Sequence, residues 1–358
     1  MSSEQVAAVA VPVHVRARGI SLRWGIGAAA FLLLAMLVGL GVGPVRIGPG
    51  SIVESALSHL PFLHIHSPLS VVDSAVVWQL RAPRVVLGAL VGAMLAVAGS
   101  AYQGAFRNPL ADPYLLGVAA GAGLGATLVI SYLSAQKGSG LLLPLAAFVG
   151  ATASVVLAYA LGRSVGGVRS TGTLILAGVT VAAFMTAAQS FVQQQRAQSL
   201  LEVYSWLLGG LGSSTWHDVA LVAPYIVVSS IVLVLHRRVL DVLSLGDEEA
   251  ASLGVNVRRT RLVIVAAATI GTAAAVAVSG LIGFVGIIVP HTVRLLVSTS
   301  YRAVVPLSFV VGAGFLVLTD VVARTILSPS ELPIGVVTAF LGAPFFALVL
   351  RTTRYTSP

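Results

Sequence analysis

The residues of this 358-residue chain that could do chemistry are few, and the gaps among them narrow its function. Cysteine is absent, which removes disulfides, thiolate nucleophiles and Cys-ligated metals. The single lysine, Lys137, follows Gln136, so a phosphate-cradling G-x-x-x-x-G-K-[ST] loop cannot form and the chain does not hydrolyse nucleotides itself. His59, His64 and His66 lie close together, and an extended His64-x-His66 could turn two imidazoles toward a metal or haem. No carboxylate at ligand spacing accompanies them, so a solvated loop is the simpler reading. Asp320 is the one acid deep in an apolar run, and Arg324 follows at the spacing of an internal helical ion pair.

Two segments say more. Asn108-Pro109-Leu110-Ala111-Asp112-Pro113 places two prolines four residues apart, which forbids a continuous helix; Asn108 and Asp112 can cap the freed backbone groups. A broken junction of this kind is tolerated at membrane depth where it is buried in protein or lines a cavity, so it suits a constriction in a pathway. Gly246-Asp247-Glu248-Glu249-Ala250-Ala251-Ser252-Leu253-Gly254 reads as a short helix with acids in its first turn and a glycine stop. Alone it is an ordinary surface helix; between membrane spans it is also a shape on which a soluble partner could dock.

The elements that must hold these segments are dictated by composition. Hydrophobic residues make up 57% of the chain and charged ones 9%, against about 25% charged in an average soluble domain. The predicted fold is all-α and polytopic, with apolar runs at 24–43, 85–106, 115–135, 141–162, 173–192, 219–235, 262–281, 284–297, 304–327 and 334–350, ten in all. The eighth is short and carries Pro290 and Arg294, so it need not cross alone. Residues 1–23 form a polar N-terminal segment, 236–261 the longest cytoplasmic loop and 351–358 a tail.

The net charge of +9 is mainly a topology signal. With the N-terminus inside, 15 basic residues face the cytosol and six (Arg46, Arg81, Arg84, Lys137, Arg196 and Arg324) face out, which places both termini in the cytosol. Contact with anionic lipid adds to this, and no nucleic-acid partner is implied. Ala96-Val97-Ala98-Gly99 and Ala277-Val278-Ser279-Gly280 each precede a proline by ten residues, in runs of opposite direction, as in an inverted repeat. The G-x-x-x-G spacings at Gly88/Gly92 and Gly117/Gly121/Gly125 predict close helix contacts within one subunit.

Four elements, in order between residues 80 and 350, carry a family resemblance. They are Arg81-Ala82-Pro83-Arg84, the stretch Gln103 to Gly117 containing Asn-Pro-Leu-Ala-Asp-Pro, Gly283-Phe284-Val285-Gly286-Ile287-Ile288-Val289-Pro290-His291, and Glu331-Leu332-Pro333-Ile334-Gly335. Together they resemble the iron-siderophore, haem and cobalamin permeases, the ten-span membrane subunits of binding-protein-dependent ABC importers. The resemblance implies a bacterial plasma-membrane permease that pairs with a second permease subunit, an identical copy before a paralogue, two ATP-binding subunits and an extracytoplasmic substrate-binding protein. ATP would be used by the partner subunit, and this chain would bind no cofactor and no metal. It also implies that Arg81, Arg84 and Arg324 receive acidic residues of the binding protein, as Arg suits carboxylates. The cytoplasmic gate would comprise Asn108 and Leu110 facing Ser170 and Thr171. Coupling to the ATPase would fall to Asp247, Glu248, Glu249, Ala250, Ala251, Leu253 and Gly254. An iron-siderophore is the first choice of cargo, haem the second and cobalamin the third. The rival class is a stand-alone channel or secondary transporter, disfavoured because ionisable residues are scarce in the apolar runs.

Overall fold

The computed structural model describes residues 20–58, 67–133, 140–164 and 171–354. His59, His64, His66, Lys137 and Ser170 lie outside them, and so does most of the N-terminal segment. The first half comprises α1 (Leu22–Gly41), α2 (Pro49–Ser58), α3 (Val71–Ala75), α4 (Ala82–Phe106), α5 (Val118–Tyr132), α6 (Leu142–Ser164), α7 (Thr171–Gln195) and α8 (Leu200–Leu207). The second comprises α9 (Trp216–Leu235), α10 (Arg237–Leu243), α11 (Asp247–Ser252), α12 (Val257–Ser279), α13 (Val285–Leu296), α14 (Tyr301–Thr325) and α15 (Ile334–Arg354). No strand occurs among the described residues.

Among the described residues seven helices are long and apolar enough to cross a membrane, and α5, α13 and α15 contribute shorter apolar helices, so each of the ten predicted runs has its helix. As its sequence implied, α13 is short: 12 residues, or about 18 Å, against a hydrocarbon core of about 30 Å.

Three predicted boundaries move. The second span does not begin at Val85: helix runs unbroken over Val71–Phe106, 36 residues, so Arg81 and Arg84 lie on a helix and not in a loop. Pro83 is accommodated because residues 76–81 form a π-turn, and the Trp78 carbonyl beneath it accepts the Trp216 indole N–H at 2.9 Å. The predicted 236–261 loop is largely helical, holding α10, α11 and the first turn of α12. The predicted tail is helical as far as Arg354.

At the centre lies α4, buried without interruption from Val91 to Phe106. Lipid gives apolar helices little reason to associate, so close packing must hold them together, and small residues permit it. A Cβ on Gly99 would stand 2.0 Å from the Gly286 carbonyl oxygen, and one on Gly121 would stand 2.1 Å from that of Gly150. The first approach joins α4 to α13; the second joins α5 to α6 inside one subunit, as the spacing of Gly117, Gly121 and Gly125 implied.

The two halves of the suspected repeat diverge after their matched glycines. α4 continues helically past Gly99 to Phe106, whereas α12 stops at Ser279 and residues 280–284 are not helical. Gly280 takes φ 67°, and a Cβ there would stand 2.3 Å from the Trp206 carbonyl oxygen. The irregular stretch is tied to α4 and its following junction. Gln103 Nε2 donates to the Gly286 carbonyl at 2.9 Å, and the Tyr114 hydroxyl both donates to the Ile282 carbonyl (3.1 Å) and accepts its N–H (3.2 Å). Burial in protein is what makes such backbone tolerable in an apolar slab.

Candidate functional site

The residues expected to carry function gather at the two ends of α4. At its C-terminal end Arg107 closes the helix in the left-handed region, with φ 51°. The two prolines then force the chain out of helix, and side chains satisfy its backbone: Asn108 Oδ1 accepts the Leu110 N–H at 2.9 Å, and Asp112 Oδ1 accepts that of Tyr114 at 2.8 Å. Both caps are those the sequence implied. Leu110 projects, 42% exposed, from the tip of this turn. Thr171 is the first residue of α7; with Ser170 undescribed, only the Asn108 and Leu110 side of the expected gate can be drawn.

Beside the junction stands α11. Its three first-turn acids, Asp247, Glu248 and Glu249, complement the positive end of the helix. Its last turn closes as a Schellman motif: Val255 N–H donates to the Ala250 carbonyl (3.0 Å), Gly254 N–H donates to that of Ala251 (2.9 Å), and Gly254 takes φ 83°. The helix is two-faced. Ala250 is buried and Asp247 half-buried, while Glu248, Glu249, Ala251, Ser252, Leu253 and Gly254 are exposed.

The buried side of α11 is held by charge. Asp247 accepts from Arg261 Nη2 at 3.0 and 3.3 Å, and Arg107 Nη2 lies 3.5 Å from the same carboxylate. Arg261 also donates through Nε to the Ala105 carbonyl near the end of α4, at 3.0 Å. From α10, Asp241 caps the start of α14, accepting the Ser300 hydroxyl (2.8 Å) and the Tyr301 N–H (2.6 Å), with Arg302 Nε at 3.4 Å. A cavity of about 1,060 Å³ opens beside this cluster, lined by Tyr159, Arg163, Asp247, Glu248, Arg258 and Arg261 among others. Asp241 and Arg261 carried no signal in the sequence beyond their charge, and Arg107 none beyond its place in the Gln103 to Gly117 stretch.

At the opposite end of α4 the three expected docking arginines are near one another but differently employed. Arg81 is buried and donates to the carbonyls of Leu40 (2.8 Å), Gly41 (3.2 Å) and Val45. Arg324, also buried, donates to the Gly39 carbonyl. Both therefore serve the unpaired carbonyls at the C-terminus of α1, where cations are favoured. Arg84 alone reaches toward the surface. Its Nε and Nη2 bind Asp320 at 2.9–3.0 Å, and its Nη1 and Nη2 bind the two Glu331 oxygens at 2.9 Å each. Asp320 is thus held chiefly by Arg84, with Arg324 further away at 3.7 Å. The helical spacing pointed to Arg324; the fold supplied a nearer guanidinium from another helix. Glu331, in the segment before α15, is held below the ordinary carboxylate range by its hydrogen bonds to Arg84.

The description "FecCD transport family" matches residues 31–352. A cobalamin import system permease protein, BtuC, of Halobacterium salinarum is 37% identical, the match covering 92% of this chain and 96% of that protein. A hemin transport system permease protein, HmuU, of Yersinia pestis is 38% identical over 77% of this chain and 83% of that protein. A solved structure described as an inward-facing metal-chelate type ABC transporter superposes with a TM-score of 0.77 at 29% identity, covering 91% of this chain and 98% of that one. With almost the whole chain matched and relatives of this similarity, the chain belongs to the FecCD transport family, the membrane permeases of ABC transporters.

Proposed function

We propose that this chain is the membrane permease of an importer that takes up an iron-siderophore type chelate, working as a homodimer with two separate ATP-binding subunits and an external binding protein. The observation that carries the reading is the two-faced α11: pinned to α4 and α12 on one side, open to a partner on the other. The chain has no phosphate-binding loop of its own, so the energy must arrive through such a surface. Glu248, Glu249, Ala251, Leu253 and Gly254 would meet the ATPase, while Asp247 and Ala250 seat the helix. The gate would be Asn108 and Leu110 against Ser170 and Thr171, on the cytosolic side, with both termini there.

On the outer side, Arg84 would meet an acidic residue of the binding protein, which would compete with Glu331 for the same guanidinium. Arg81 and Arg324 lie beneath it and would contribute positive potential or join the contact only after α1 releases them.

Relatives named for cobalamin and hemin share the fold, so the cargo is tested directly. Cells carrying the whole importer are given 55Fe-labelled ferric hydroxamate siderophore, haemin or cyanocobalamin. ATP-dependent accumulation of the ferric siderophore above the other two supports the reading; accumulation of haemin or cyanocobalamin instead reassigns the cargo.

A further inference from the structure

The tie between α11 and the junction deepens this reading, and rests on it. We propose that Asp247, with Arg107 and Arg261, is a latch through which displacement of α11 is transmitted to the Asn108–Leu110 gate. Three features of the geometry carry it.

The first is where α11 can move. It is bounded by Gly246 at φ 145° and Gly254 at φ 83°, conformations in which a side chain is strained. The α10 segment before it is fixed to the start of α14 by Asp241. Motion imposed on the exposed face is therefore a rocking of α11 between two glycine pivots.

The second is the inequality of the two partners of Asp247. The Arg261 side chain is 7% exposed, at 3.0 Å and anchored a second time on the Ala105 carbonyl. The Arg107 side chain is 43% exposed, and its pair is 3.5 Å long. A buried, doubly anchored guanidinium is a fixed post; an exposed, longer ion pair is cheap to break and remake. Rocking α11 about the Arg261 post changes the Arg107 contact first.

The third is the position of Arg107, the left-handed closing residue of α4, bonded directly to Asn108. Its backbone N–H pairs with the Gly104 carbonyl and that of Asn108 with the Gln103 carbonyl. A pull on the Arg107 side chain acts where the helix ends and the gate turn begins. In this scheme Asp247 and Arg107 are positioning residues that touch neither ATP nor cargo.

The absence of native cysteine gives a clean readout. In the complete complex, assembled with its ATP-binding subunits in nanodiscs, Leu110→Cys is labelled with a maleimide with and without a non-hydrolysable ATP analogue. The Leu110→Cys chain should show a labelling rate that changes at least fivefold with nucleotide. Arg107→Gln and Asp247→Asn should reduce that response below twofold in complexes that still contain the ATP-binding chains, while Arg107→Lys and Asp247→Glu keep it. If Asp247→Asn fails to assemble, Arg107→Gln alone decides. Responses unchanged in the assembled Gln and Asn variants would overturn the latch and leave the coupling surface standing. A Leu110→Cys chain that ignores nucleotide would overturn the coupling reading, and the latch with it.

Discussion

Arg84 shows most clearly what a single side chain does here. It is the main counter-ion of Asp320, whose side chain is 3% exposed, and removing one partner of a buried pair strands the other. Arg84→Ala should cost about 3–5 kcal/mol, and adding Asp320→Asn should recover much of the loss. Thermal unfolding of the purified permease in detergent measures both. The Glu331 side of the cluster should respond to acid. Glu331 titrates below its ordinary 4.5 when folded, so its contribution is fully present above that pH and is lost as pH falls through the lowered value. Stability against pH should show this acid limb, and Glu331→Gln should abolish it. The three arginines were legible in the sequence as a set, but their employment was not. Asp320 and Arg84 are 236 residues apart, and only folding brings the α14 carboxylate to α4 rather than leaving it to Arg324. The capping of α1 by Arg81 and Arg324 is equally invisible before the helix end is located.

Elements were more readable than pairings. Every apolar run became a helix, because in a hydrocarbon slab a run of that length has no other way to satisfy its backbone. The short α11 also emerged as its first-turn acids and closing glycine implied. The misread places are where tertiary partners override local signals. The second apolar run suggested a span starting at Val85, yet a π-turn and Trp216 keep helix on both sides of Pro83. Gly99 and Gly280 stood at matched places in the suspected repeat, yet only Gly280 ends a helix. The helix-packing role of Gly99 predicts a sharp contrast with an open site. Gly99→Val must displace the Gly286 backbone, 2.0 Å away, and should destabilise by at least the ~1–3 kcal/mol of ordinary overpacking, whereas Gly27→Ala meets nothing within 4 Å and should gain up to about 1 kcal/mol of helix propensity. Melting temperatures of the two variants, expressed at equal level, check the contrast.

At the scale of the whole molecule, the chain is a conduit without an engine. Two charged clusters stand at opposite ends of α4, one in which Arg81, Arg84 and Arg324 are turned to internal work and one organised around Asp247. Under the proposed function the lack of a phosphate loop and the open face of α11 belong together: the permease would draw its free energy from a second chain and would present one small helix to receive it. The most direct measurement is copurification of the ATP-binding chain with tagged permease, comparing the natural sequence with the charge-reversed Glu248→Lys/Glu249→Lys variant. Both side chains are exposed and their reversal leaves the buried seat of α11 intact, so the account predicts that the natural permease brings down the ATP-binding chain and the variant loses at least nine-tenths of it. Equal recovery with the reversed variant, or no nucleotide-binding chain with either, would contradict it.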